Sequence, residues 1–243
     1  MKKLILLVAL LASAGAVAAD EDANVIKVNG VKNPDMRSYR SIVAGLDAFD
    51  AHHQLAPSVP EVRFRLEALP QHELNLPSLS LRIVGNGDPI PLAFAADGTF
   101  AVPRNQAALD DKADLVLNRK KGELQGRPVI RTPGLPDNVM RLGDLRLTCE
   151  VEIAVVKSEM NFLVRAALST VLLTSDWCNV KMGQFWFKSH GVLTDAAIVE
   201  GERREEIKFQ RDGYAAPIGD SRWSDEARIE LKLEPESGKS PLL

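Results

Sequence analysis

The sequence predicts an α+β protein, mainly β, with an antiparallel β-sandwich-like region followed by a disulfide-tied α+β region. Three observations predict it. Short runs with period-two alternation recur from residue 62 onward. Clusters of glycine, proline, asparagine and aspartate punctuate them. The chain's two cysteines, Cys149 and Cys178, both fall in its second half. Several short strands separated in this way read as a sandwich.

The chain opens with Lys2 and Lys3, then an apolar run from Leu4 to Leu11, then small residues from Ala12 to Ala19 before Asp20. A positive start, an apolar centre and a small-residue exit are the order of a cleavable signal peptide. Cleavage after Ala18 and cleavage after Ala19 both meet the small-residue requirement. The apolar run is shorter than the roughly 20 residues a spanning helix needs, and acidic residues follow it directly. The expectation is a periplasmic or secreted protein with no integral span after cleavage. No cysteine lies near the cleavage region to carry a lipid.

Cleavage would remove two of the 30 basic residues and none of the 33 acidic ones, leaving the chain more acidic than the formal −3 of the whole sequence. That composition argues against nucleic acid as a partner, because counterion release needs a concentrated basic surface. The short basic run Arg119-Lys120-Lys121 precedes Gly122 and reads as a solvated hairpin turn. In an exported chain two cysteines are normally oxidised, so a Cys149–Cys178 bridge is expected. On the chain-entropy account, closing such a loop contributes about 3 to 4 kcal/mol.

Residues 20–60 form an N-terminal segment. Val25 to Val28 reads as a short strand, Asn29-Gly30 as a turn, and Asn33-Pro34-Asp35 breaks the run. From Arg37 to His53, Tyr39, Ile42, Val43, Leu46 and Phe49 recur at spacings of three and four, which predicts a one-faced helix ended before Pro57 and Pro60.

Residues 61–136 form the sandwich-like region. Val62, Phe64, Leu66 and Ala68 alternate with charged residues, as do Leu79, Leu81 and Ile83 with polar ones, and the run Gly85 to Pro89 then turns the chain. Leu92 and Phe94 lead into Asp97-Gly98, and Phe100 and Val102 lead out, a hairpin pattern. Runs at 114–118 and 127–132 flank the Lys121-Gly122 turn. The stretch Phe94 to Pro103 resembles the hairpin of carboxypeptidase-regulatory-like and transthyretin-like β-sandwich modules, in which an Asp-Gly turn opens into an aromatic strand. The likeness covers about ten residues and implies a sandwich, not a function.

Residues 137–234 form the α+β region. Leu145, Leu147, Cys149, Val151, Ile153 and Val155 alternate with Arg146, Thr148, Glu150 and Glu152, which predicts a strand. A helix competes, because Leu142, Leu145, Cys149, Ile153 and Val156 also share one helical face. From Ser158 to Leu173 the polar residues Asn161, Arg165 and Ser169 recur every four, predicting a mostly buried helix with one narrow wet stripe. The aromatic run Phe185-Trp186-Phe187 follows the second cysteine, then strands are expected at 197–199, 206–210 and 227–233, and residues 235–243 form an aperiodic tail.

No motif fixes a chemistry. The four histidines (His52, His53, His72, His190) stand in no metal-binding spacing, and Asp50 with His53 supplies only two ligands. Neither a nucleophile elbow nor a glycine-rich phosphate cradle is present. No cofactor or metal is expected. The leading expectation is a binding or structural module of the cell envelope, its partner an envelope protein or a glycan. Asp176, Trp177, Trp186, His190 and Trp223 are the candidate contact residues, because aromatic faces beside carboxylates suit a sugar or peptide groove. The alternative is an exported hydrolase of cell-wall or polysaccharide substrates, with Asp176, Asp195, Glu200 and Glu202 as the acids.

Overall fold

The computed structural model describes residues 31–179 and 185–234. The signal peptide, the strand expected at 25–28 and the tail from 235 lie outside the described residues. Among the described residues no helix is long and apolar enough to cross a membrane. The fold is α+β and mainly β, with every strand pair antiparallel.

The first half is built on β1 (Pro34–Ser38), α1 (Tyr39–Ala51), β2 (Arg63–Ala68), β3 (Leu81–Val84), β4 (Ile90–Leu92), β5 (Thr99–Phe100), the short α2 (Gln106–Asp110), β6 (Asp114–Lys120) and β7 (Leu124–Val129). One sheet has the order β1-β6-β3-β4 and the other β5-β2-β7. Phe64 and Leu66 from one sheet meet Leu81, Ile83, Leu115 and Leu117 from the other in a single core. The alternation read in β2 and β3 is therefore the inward and outward alternation of sandwich strands.

Pro34 does not break the run as expected. It opens β1, an edge strand, where a missing N–H costs no ladder hydrogen bond. In α1, Tyr39, Val43, Leu46 and Phe49 are buried as the spacing predicts. The Tyr39 hydroxyl donates to Pro103 O (2.6 Å) and accepts from Asn105 N (2.7 Å), which fixes the helix start to the loop before α2.

Two expected hairpins are not hairpins. The Asp97-Gly98 turn forms, with Gly98 at φ 77° and its N–H donating to Ala95 O. Its arms part, however: β4 pairs with β3 and β5 with β2, in opposite sheets. Likewise β6 and β7, on either side of Gly122, join different sheets. Turn residues dictate a reversal only. The few residues around each turn suffice to cross the roughly 10 Å between packed sheets.

The second half comprises β8 (Val139–Arg141), α3 (Leu142–Glu159), α4 (Phe162–Leu172), β9 (Phe185–Lys188), β10 (Leu193–Glu200), β11 (Arg203–Glu206), β12 (Phe209–Gln210), β13 (Gly213–Ala216) and β14 (Arg228–Leu233). The sheets run β11-β10-β14-β8 and β12-β13-β9.

The strand predicted over 145–155 is instead α3. Leu142, Leu145 and Cys149 face the second core while Leu147 and Val151 face the first, so the helix is buried on two sides. Two buried sides raise the number of apolar positions and imitate a period of two. The Cys149–Cys178 bridge is present, with Cα atoms 5.9 Å apart.

The helix predicted over 158–173 also differs. α4 starts at Phe162, with Asn161 as its cap rather than part of a stripe, and none of its residues is buried. Phe162, Leu163 and Val171 are 69%, 73% and 78% exposed. Apolar periodicity reports which sides of a helix are greasy, and nothing in it says whether another element covers them.

Candidate functional site

The two sheets of the sandwich do not close along one side. Between edge strands β1 and β7 lies a cavity of about 300 Å³, and the C-terminal half of α3 forms its third wall. Inner-face side chains line its body, among them Phe64, Leu66, Phe100, Leu81, Leu115 and Leu117. Gly126, on β7, leaves the wall there without a side chain.

The polar groups gather at the two strand edges and on α3. Arg37 pairs with Glu159 (3.2 Å), and Ser41 Oγ donates to the same carboxylate (3.2 Å). Arg127 lies between Glu67 and Glu152, 3.3 Å from each, and Lys188 also reaches Glu67 (3.2 Å). Burial pushes the Glu152 carboxyl above its ordinary value, against the opposing pull of Arg127.

Asp35 is different. Asp35 pairs in register with Leu117 on β6, and Leu117 with Leu81 on β3. Directly opposed residues share a face, so Asp35 stands in a row with two inward-facing leucines. Its carboxyl has neither a hydrogen-bond nor an ion-pair partner among the described residues. Burial raises its pKa although Arg37 and Lys121 pull it down.

The chain matches no protein-family model, no curated protein and no solved structure. Function therefore has to be argued from the geometry alone.

The candidate contact residues named from the sequence do not form one groove. Trp177 is buried beside the bridge, its indole N–H donating to Ser169 Oγ (3.2 Å) and its ring beneath Lys157 Nζ. Trp223 is 2% exposed, with Arg203 stacked on it at 3.5 Å, which makes it an anchor of its loop and not a free contact. Asp176 accepts from the amides of Cys178 and Asn179 and shapes that turn. Asp176, Trp186 (on β9) and His190 present exposed surface, while both other tryptophans are buried. Aromatic residues here are mostly consumed by packing around the second core.

The acids named for hydrolysis are not gathered either. Asp195, near the start of β10, and Glu200, at its end, lie about 17 Å apart along the strand. Asp195 pairs with Lys232 (3.3 Å), Glu200 with Arg203 (3.3 Å), and Glu202 is exposed in the following turn. A glycosidase pair needs a separation of roughly 5 to 9.5 Å across a cleft. A second, more polar groove of about 550 Å³ is lined by Glu205, Glu206, Asp220, Arg222 and Trp223. Its Asp220 is held below the ordinary carboxylate range by hydrogen bonds from Arg222.

Asp50 and His53 do not converge: Asp50 binds Arg104 (2.5 Å) and His53 Nε2 donates to Val59 O (2.7 Å). Glu150, Asp176 and Cys178 do converge, but the Cys178 sulfur is committed to the bridge and is no thiolate. The cavity residues Asp35, Arg37, Arg127 and Glu152 escaped the sequence reading because they sit on three elements, β1, β7 and α3, brought together only by folding. The one local signal was Gly126 and Pro128 in β7, residues that weaken a strand interior and mark an edge.

Proposed function

We propose that this is an exported binding protein whose working site is the apolar cleft between β1 and β7, and that its ligand is a small, largely apolar molecule. One observation carries the reading. A cleft of about 300 Å³ opens at the surface between β1, β7 and α3, and apolar side chains from the inner faces of both sheets form its floor. Apolar walls with a few polar groups at one side are the usual make-up of a small-molecule site. The bridge and the two cores supply a rigid frame, so little ordering is required on binding.

Titration with prodan, a neutral environment-sensitive dye, tests the reading. Saturable one-site fluorescence is expected from the native chain, and its loss is expected in Leu66→Trp, where the indole occupies the cleft. The exposed face of α4 is unaltered in that variant, so any signal it retains reports that face instead. Equal, non-saturating signals from both proteins would overturn the proposal. Export itself is tested by intact mass: a chain beginning at Ala19 or Asp20 is expected, and a full-length chain would count against it.

A further inference from the structure

The charges around the cleft sort by partner. Arg37 is taken by Glu159, and Arg127 by Glu67 and Glu152. Asp35 alone among the lining charges has no partner among the described residues. Its place in register with Leu117 and Leu81 sets the carboxylate at the head of an apolar row, about 10 Å from β1 to β3.

Each class of ligand head meets this arrangement differently. A carboxylate head would bring a second anion beside Asp35, where Arg37 is already paired with Glu159 and Lys121 already acts on Asp35. A neutral head leaves the partly desolvated carboxylate with only the longer-range pull of Arg37 and Lys121 and no ion-pair partner among the described residues. A protonated amine supplies a cation in direct contact and up to three N–H donors, and charge-assisted hydrogen bonds of that kind are about twice as strong as neutral ones.

Resting on the reading of the cleft as a binding site, the geometry points to an amphipathic amine as the ligand class: a short alkyl or aromatic body between the sheets and a cationic nitrogen on Asp35. Arg37 and Arg127 then act as a filter, since their own pairs must break before an acid can bind. The competing account of Asp35 is edge protection, because an inward-pointing charge on an edge strand also blocks edge-to-edge pairing.

The test is calorimetric titration of octylamine, octanol and octanoate into the native chain, Asp35→Asn, Leu66→Trp, and Asp88→Asn as a control at an exposed turn acid. The native chain is expected to bind octylamine about tenfold more tightly than octanol, and octanoate most weakly. Asp35→Asn should lose the amine preference while keeping octanol affinity, and Asp88→Asn should match the native chain.

Equal affinity for octylamine and octanol in the native chain, or an amine preference surviving in Asp35→Asn, would overturn the head-group assignment and leave the cleft standing. No binding of any of the three, or binding unaffected by Leu66→Trp, would sink the cleft reading as well. Self-association appearing in Asp35→Asn, with ligand ranking unchanged, would replace recognition by edge protection.

Discussion

Thr132 donates twice to Asp144, from its amide to Oδ2 (2.7 Å) and from its hydroxyl to Oδ1 (2.8 Å). Asp144 is fully buried in the first turn of α3, where the helix dipole favours a negative charge. The pair ties the loop after β7 to the helix that carries both cores. Arg141 stands 3.6 Å away and completes the cluster. Asp144→Ala is expected to cost about 3 to 5 kcal/mol, since it strips a buried cation of one partner and orphans two donors. Thr132→Val should cost about 1 to 2 kcal/mol. Urea unfolding of both variants checks the order, and equal losses would refute it.

Gly45 lets α1 and α3 touch. A Cβ there would stand 2.8 Å from Val155 Cγ2 and 3.3 Å from Val151 Cγ1. Gly45→Ala therefore trades a helix-propensity gain of about 1 kcal/mol against overpacking of about 1 to 3 kcal/mol. A net loss of about 1 kcal/mol is expected, recovered when Val155→Ala is added. Val155 also lines the cleft, so the single variant should weaken prodan binding as well.

Gly143 is the stricter case. Its Cβ would collide with the carbonyl oxygen of Leu55, a backbone atom that cannot rotate away. Gly143→Ala is expected to destabilise more than Gly45→Ala, because no truncation of a neighbour relieves it. Soluble yield and melting temperature, compared side by side, decide the matter.

The bridge closes a span of 29 residues that contains α4, a helix with no buried residue. The double variant Cys149→Ala/Cys178→Ala should lose about 3 to 4 kcal/mol. Limited proteolysis should cut first within 162–172, because few contacts other than the bridge restrain that hairpin: Lys157 Nζ to Ser175 O and Trp177 to Ser169. A melt identical to that of the native chain would deny the bridge a structural role.

Two carboxyls give opposite pH slopes. Hydrogen bonds from Arg141 hold Glu226 below its ordinary value of 4.5, so its stabilisation is present above 4.5 and is lost as pH falls through the lowered folded value. Burial raises Glu152, so the folded state holds that proton longer and loses stability as pH rises from 4.5 through the raised value. Glu226→Gln should flatten the acid limb of stability against pH. Glu152→Gln should gain on the native chain as pH rises through its own window. Urea midpoints between about pH 3 and about pH 7 distinguish the two, and parallel shifts would contradict both assignments.

Local chemistry was legible wherever one face is buried and the other wet. α1, β2 and β3 came directly from spacing, because each packs against a single core. α3 did not, because Leu147 and Cys149 serve opposite cores, and a pattern read along one chain assumes one interior. α4 was recognised as a helix with the wrong surroundings. Of the site, Phe64 and Leu66 were visible as inward positions, whereas Asp35 fell on a segment read as a break.

By itself the sequence determined the α+β class, the positions of the turns, the bridge between Cys149 and Cys178 and the expectation of export, since each depends on residues near in the chain or on composition. The tertiary structure alone decided that β4 and β5 part into opposite sheets, that α3 joins the two cores, and that β1 and β7 stand apart over an open cleft. The physical reason is range: turns and faces are encoded by neighbours a few residues apart, while a cavity exists only in the gap between elements that the chain brings together from afar.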